Sequence, residues 1–159
     1  MSRLLLTVTA IAAIGSAVNG GVFFAFSTFV MDGINRLPPA QSIRAMQGIN
    51  VAAPTPPFMA LFLGTAAVSV GLAVTAIARW SEPWAPWLLA GALLYLVSIV
   101  MTGAFHVPRN NALDLVDPAT VDAARTWESY RSAWVLGNHL RTLSPVLAAA
   151  CYLVAMRAG

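Results

Sequence analysis

The stretch FMALFLGTAAVSVGLAVTAIA, from Phe58 to Ala78, contains no charged residue and no proline. A helix needs about 20 apolar residues to cross the hydrocarbon core of a bilayer. A transmembrane β-strand would be about ten residues long and would alternate apolar with polar positions. This stretch does not alternate, and a helix satisfies its own backbone hydrogen bonds in lipid. The stretch therefore predicts a transmembrane helix.

Three other apolar runs have the length of a membrane span. With the first stretch they give four predicted spans, over residues 4–31, 58–78, 84–105 and 134–156. The first run follows Arg3 as a signal peptide would, but it stays apolar as far as Met31, which is too long for a signal core. We predict a retained first helix and an all-α integral membrane four-helix bundle, with residues 1–159 as one transmembrane domain.

The composition agrees with a lipid-exposed surface. Hydrophobic residues make up 58% of the chain and charged residues only 9%, and the mean hydropathy is +0.74. Soluble domains have about a quarter charged residues. The net charge of +3 comes from arginine alone and is spread over loops and ends, so we expect the lipid bilayer as a partner and no nucleic acid. Cys151 is the only cysteine, which excludes a disulfide within the chain.

The two long connections are predicted to contain helix. Between the first two spans, Ile43, Met46 and Ile49 recur at helical spacing and indicate a short amphipathic helix near residues 41–52. Before the fourth span, Asp117 and Pro118 have the pattern of an N-cap followed by proline at the first helical position. We expect a helix to begin there and to run into the fourth span.

Alternating spans place both long connections on one side of the membrane, with the two termini on the other. The long connections contain more arginines (Arg36, Arg44, Arg109, Arg125 and Arg131) than the opposite side (Arg3, Arg79 and Arg157). The positive-inside rule favours a cytoplasmic location for the long connections, although their length also gives them more positions for charge. We expect a multi-pass protein of a bacterial plasma membrane, with its orientation open.

Polar residues at membrane depth form two helical stripes. On the fourth helix, the spacings are four, three, four and three, along Trp127, Arg131, Trp134, Asn138 and Arg141. An arginine facing lipid is costly, so Arg141 is expected to point into the bundle or to the interface. His139 lies about 100° around the helix from Asn138 and is expected beside the same cavity. The third helix has a second stripe at Tyr95, Ser98, Thr102 and His106.

Topology brings these stripes to one membrane face and predicts a small-molecule site there. The candidate residues at this face are Asn50, His106, Asn110, Asn111, Asn138, His139 and Arg141, and the first helix adds Asn19, Phe23 and Phe26. Purely structural roles stay open for several of them. Asn19 fits hydrogen bonding between helices, and Arg141 fits snorkelling to the interface.

Four motifs resemble those of the anthrone oxygenase-like family of small four-helix membrane proteins. They are NGGVFFAFSTFVM at 19–31, MQGIN at 46–50, FHVPRNNAL at 105–113, and Trp134 followed by NHLRT at 138–142. One departure is Asp32 after Met31, where the family pattern has proline. The resemblance implies an oxygenase that oxidises an anthrone-like, planar, lipophilic phenol with O2 and no cofactor.

The resemblance also suggests roles for the candidate residues. His139 or His106 would be the base, with His139 preferred because Asn138 and Arg141 adjoin it. Arg141, helped by Asn138, Asn110 or Asn111, would stabilise an oxyanion. Trp134, Phe23 and Phe26 would line a slot for a small lipophilic substrate, and Asn19 and Asn50 are further substrate-binding candidates.

Two other classes of function stay open. Both histidines, His106 and His139, could bind haem or a copper or iron ion, although no span contains a carboxylate to complete a non-haem site. A non-enzymatic binder, transporter or assembly subunit is the other class, and a transporter of four short spans would need a homo-oligomer to form a pore.

Overall fold

The structure is all-helical. The computed structural model describes every residue from Met1 to Gly159, with 86% helix and no strand. Four of its helices are long and apolar enough to cross a membrane: Arg3–Asn35, Pro56–Ala78, Ala85–Asp114 and Ala123–Ala158. The predicted all-α four-helix membrane bundle is confirmed.

Two of the four long helices contain a π-helical segment. In chain order the elements are α1 (Arg3–Ala25), π1 (Phe26–Val30), α2 (Met31–Asn35), α3 (Pro39–Ala52), α4 (Pro56–Ala78), α5 (Ala85–Met101), π2 (Thr102–His106), α6 (Val107–Asp114) and α7 (Ala123–Ala158). The first long helix is continuous through π1, and the third is continuous through π2. Both therefore extend beyond the predicted spans.

The connections match the sequence prediction in one case and differ in the other. The amphipathic helix predicted near residues 41–52 is α3. The helix start predicted at Asp117 and Pro118 is wrong, because α7 begins only at Ala123. The Asp117 carboxylate instead accepts a hydrogen bond from the Ala119 N–H at 2.9 Å, which closes a local turn before the helix.

Helix α7 is the central element of the bundle. It packs against α1 on one side and α5 on the other, and α4 packs against α1 and α5. The main apolar core fills the bundle around Tyr95 and Tyr152. A second core joins α2, α3, α6 and the first turns of α7 around Met46 and Trp127. We call these four packed segments the cap, because they cover the end of the bundle where the long connections lie.

Hydrogen bonds between helices hold the middle of the bundle together. The Asn19 amide donates to the Tyr95 hydroxyl at 3.0 Å, and that hydroxyl donates to the Phe62 carbonyl at 2.9 Å. The Tyr152 hydroxyl likewise donates to Ser69 Oγ at 2.9 Å. Amides and hydroxyls commonly join membrane helices like this, so the structure gives Asn19 an interhelical role.

Gly91 lets α5 and α7 approach closely, and this gives a stability prediction. A Cβ at residue 91 would lie 2.8 Å from the Tyr152 ring and 3.2 Å from the Ala148 carbonyl oxygen. We expect Gly91→Ala to lower the free energy of unfolding by about 1–3 kcal/mol through overpacking. Gly71→Ala is the matched control, because no atom lies within 4 Å of its added Cβ. Unfolding in mixed detergent micelles should separate the two variants, and equal stabilities would contradict this packing.

Candidate active site

Arg141 is a buried cation without a carboxylate partner. Its side chain is packed within the helix bundle, and the residue is 8% exposed. Its Nε donates to Asn138 Oδ1 at 3.0 Å, and Nη1 makes a long bond of 3.4 Å to Thr102 Oγ1. The ion pairs of the structure join Arg125 to Asp122 and Arg131 to Glu128. Because a guanidinium has five N–H groups, Arg141 keeps donors available for an anionic group.

Asn138 fixes the orientation of this guanidinium. Its Nδ2 donates to the Phe23 carbonyl and to Ser27 Oγ, both at 2.8 Å. A carbonyl oxygen only accepts, so these bonds set the amide orientation and turn Oδ1 towards Arg141. Asn138 is fully buried. Its hydrogen bonds to Phe23, Ser27 and Arg141 link α1, π1 and α7.

Aromatic rings surround the guanidinium. Its Cζ atom lies 4.2 Å from the centre of the Phe23 ring and 5.3 Å from that of Trp134. The Phe26 ring packs on Trp134 with centroids 5.9 Å apart. Ring faces attract a cation and shield it from water. The charge of Arg141 is thus held in an apolar, aromatic setting.

His106 also packs on the Trp134 ring and is fully buried. The two rings meet edge to face with centroids 5.1 Å apart. Nδ1 is 3.0 Å from the Met101 carbonyl oxygen and Nε2 is 3.3 Å from that of Trp134. A neutral imidazole has one N–H and can satisfy one carbonyl, whereas an imidazolium donates to both. In the neutral ring, one nitrogen therefore faces a carbonyl oxygen with no proton between them.

The π-helical segments supply the hydroxyl partners of Asn138 and Arg141. Ser27 belongs to π1, and Thr102 and His106 belong to π2. Pro108 follows π2 and has no N–H to bond the carbonyl four residues earlier, which favours a change of helix register there. Single π-helical turns within α-helices are frequent at functional sites. Both occur here at the level of Arg141.

The cap holds Trp134 in place through Asn110. The Asn110 Oδ1 atom accepts from Trp134 Nε1 at 3.0 Å and from the Tyr130 hydroxyl at 2.9 Å. Two turns before Trp134 on α7, Trp127 Nε1 donates to Asn35 Oδ1 at 2.8 Å. Asn110 is thus a positioning residue for the Trp134 indole, which contacts both Arg141 and His106.

Comparison with known proteins identifies the family of this chain. A sequence model described as anthrone oxygenase matches residues 58–151, more than half of the chain. The chain belongs to the anthrone oxygenase family. No curated protein and no solved structure matches it. The anthrone oxygenase match includes α7 as far as Cys151 and the whole of π2, whereas Phe23, Phe26 and Ser27 precede it.

The structure brings together most of the residues predicted for an anthrone oxygenase site. The members of this cluster are Phe23, Phe26, His106, Asn110, Trp134, Asn138 and Arg141. Thr102 is on the predicted polar stripe of the third helix, but neither Thr102 nor Ser27 was predicted as a site residue. Tyr130 was not predicted as a site residue. Its spacing of four residues from Trp134, which places both on one face of α7, could have indicated it.

Four predicted site residues lie outside the cluster. Asn19 bonds Tyr95, and the Asn50 amide donates to Asp114 Oδ1 at 2.9 Å. Asn111 and His139 are exposed on the outer surface of the helices. Their roles in an anthrone oxygenase site stay predictions. No group of three or more His, Cys, Asp or Glu residues is placed to hold a metal ion, and the haem or metal alternative likewise stays a hypothesis.

Proposed function

We propose that this protein is a membrane-embedded oxygenase that acts on a planar, lipophilic, anthrone- or phenol-like substrate without a cofactor. The observation that carries the proposal is the buried Arg141 guanidinium, which has no carboxylate partner and lies against two aromatic rings. Burying a charge without a counter-ion is costly. A ligand that becomes an oxyanion during the reaction would supply the missing negative charge.

The chemistry balances with O2 as the only oxidant. A base removes a proton from the activated CH2 of the anthrone, which leaves an electron-rich phenolate-like anion. That anion passes one electron to O2, and the two radicals combine into a C–O bond, so that a proton then gives a hydroperoxide. Loss of the second C–H proton and cleavage of the O–O bond give the quinone carbonyl and one molecule of water.

Three kinds of group on this chain fit those steps. His106 is the proposed base, because it is the histidine that packs on Trp134 within the cluster and its neutral ring has one nitrogen without a proton. Arg141 stabilises the anion, and its effect is large because the surroundings exclude water. Phe23 and Trp134, which pack around the guanidinium, would line the slot for a flat ring system. The cap covers the aqueous end of the bundle, so a lipophilic substrate would enter from the bilayer.

Oxygen uptake by the purified protein tests the proposal. In lipid nanodiscs, with a panel of anthrones, hydroquinones and simple phenols, we expect uptake well above autoxidation for an anthrone-like member. One O2 should be consumed for each quinone formed, and catalase should return no oxygen because water is the second product. Oxygen recovered on adding catalase would indicate an oxidase that makes peroxide. Absence of uptake across the panel would contradict the proposal.

A further inference from the structure

A groove with a volume of about 500 Å³ lies between α6 and the first turns of α7. Its walls include the apolar side chains of Leu113 and Val116, and the hydroxyl residues Thr126 and Ser129 line it as well. Arg109 and Arg125 contribute its charge, and no carboxylate residue lines it. The volume lies in the range of small-molecule sites. The groove thus combines an apolar wall with two cations and hydroxyl groups.

The length of α7 places this groove at the level of the lipid headgroups. The helix has 36 residues, which corresponds to about 54 Å at 1.5 Å per residue. The hydrocarbon core is about 30 Å thick, so several turns of α7 extend beyond it. The groove uses the first three turns of α7, far from Arg157 at the opposite end. Apolar chains and charged headgroups meet at this depth.

The guanidinium of Arg109 is oriented but not neutralised. Its Nη1 donates to the Phe105 carbonyl at 3.0 Å, and its Cζ lies 3.5 Å from the centre of the Phe105 ring. Arg125 is 3.0 Å from Asp122, but the two side chains are 85% and 63% exposed. Exposed ion pairs of this kind contribute little, so Arg125 can exchange its partner. The nearby Asp114 accepts from Asn50.

We propose that this groove binds the phosphate group of an anionic amphiphile, with the acyl chain along Ala112 and Val116, which line the groove and are accessible. Paired arginines suit phosphate because each guanidinium presents several N–H donors in one plane. The groove is a different site from the Arg141 cluster, but Tyr130 links the two sites. Tyr130 lines the groove, and its hydroxyl shares the Asn110 Oδ1 atom with Trp134.

Lipid titration followed by native mass spectrometry tests this site. Detergent-purified protein is titrated with dioleoylphosphatidylglycerol, which is anionic, and with dioleoylphosphatidylcholine, which is zwitterionic. We expect tighter binding of the anionic lipid, and roughly thirtyfold weaker binding after Arg109→Gln with Arg125→Gln. Arg36→Gln with Arg44→Gln is the matched control, because these arginines are exposed on the same face and do not line the groove.

A single substitution and a phosphate competition test whether the groove recognises the lipid phosphate itself. Arg125→Gln alone, at an exposed position, should weaken binding about fivefold even if the double variant is unstable. Inorganic phosphate that displaces the anionic lipid from wild-type protein, but has no such effect on the Arg125 variant, would support the site with free phosphate as a second source of the ligand. Equal binding of the two lipids, or equal loss in the control pair, would overturn the proposal.

Discussion

Replacing Arg141 by lysine is expected to lower turnover about a hundredfold to a thousandfold, the usual effect of removing one oxyanion-stabilising donor. Lysine keeps the positive charge but cannot bond Asn138 through Nε while presenting a planar set of donors to the substrate. The measurement is quinone formation under saturating oxygen for the best substrate of the panel. Arg157→Lys is the matched control, because Arg157 is exposed near the end of the same helix.

A second substitution at this position separates function from folding. Arg141→Met removes an unpaired buried charge and retains an apolar stem against the Phe23 ring. Apolar replacement of buried charges is often neutral or stabilising. Loss of the bond from Arg141 Nε to the buried Asn138 Oδ1 costs about 1–3 kcal/mol and offsets the gain from removing the charge. We therefore expect a melting temperature close to that of the wild-type protein, with turnover lost. A large drop in melting temperature would show that Arg141 serves the fold, and full turnover in Arg141→Lys would favour snorkelling.

The sequence predicted the helices well because lipid imposes a simple rule on them. Uncharged runs such as residues 58–78 must be helical to satisfy their backbone groups, and the structure has α4 over Pro56–Ala78. The stripe on the fourth helix was also readable, since buried Trp134, Asn138 and Arg141 follow the period of one regular helix. Pro145 within α7 does not end the helix.

The π-helical segments could not be predicted from helical periodicity. Extrapolating a stripe assumes a constant turn, and an inserted π-turn shifts every later residue by about one position, or 100°. The stripe that contains Tyr95 and Ser98 stays buried as far as His106, the last residue of π2, and its phase changes for the residues that follow. The buried position of His106 depends on π2 and on the carbonyl groups of Met101 and Trp134.

The exposed position of His139 depends on which helix packs beside it. A Cβ at Gly137 would collide with the Phe105 ring, which shows that the third helix packs closely on that side of α7. Residues 137 and 139 are about 200° apart around a helix, so His139 points away from the contact. The angular position of His139 on its own helix does not show whether the side chain is buried, because burial depends on where the neighbouring helix packs.

His106→Asn is expected to lower turnover about a hundredfold to ten-thousandfold, the contribution typical of a general base. Asparagine can still donate to the Met101 carbonyl, where His106 Nδ1 lies at 3.0 Å, but it has no basic nitrogen. The melting temperature should therefore stay close to that of the wild-type protein. Deuteration of the reacting CH2 should slow the variant more than the wild type, because proton removal becomes fully rate-limiting.

The exposed His139 provides the comparison that decides between the two histidines. If the base is His106, His139→Asn should retain near-normal turnover and an unchanged isotope effect. Loss of turnover in His139→Asn alone would instead support the assignment made from the sequence, and the base would act from the outer surface of α7. If neither variant loses turnover, no histidine is the obligatory base. The buried guanidinium of Arg141 would then have to promote loss of the substrate proton to water by stabilising the anion that remains.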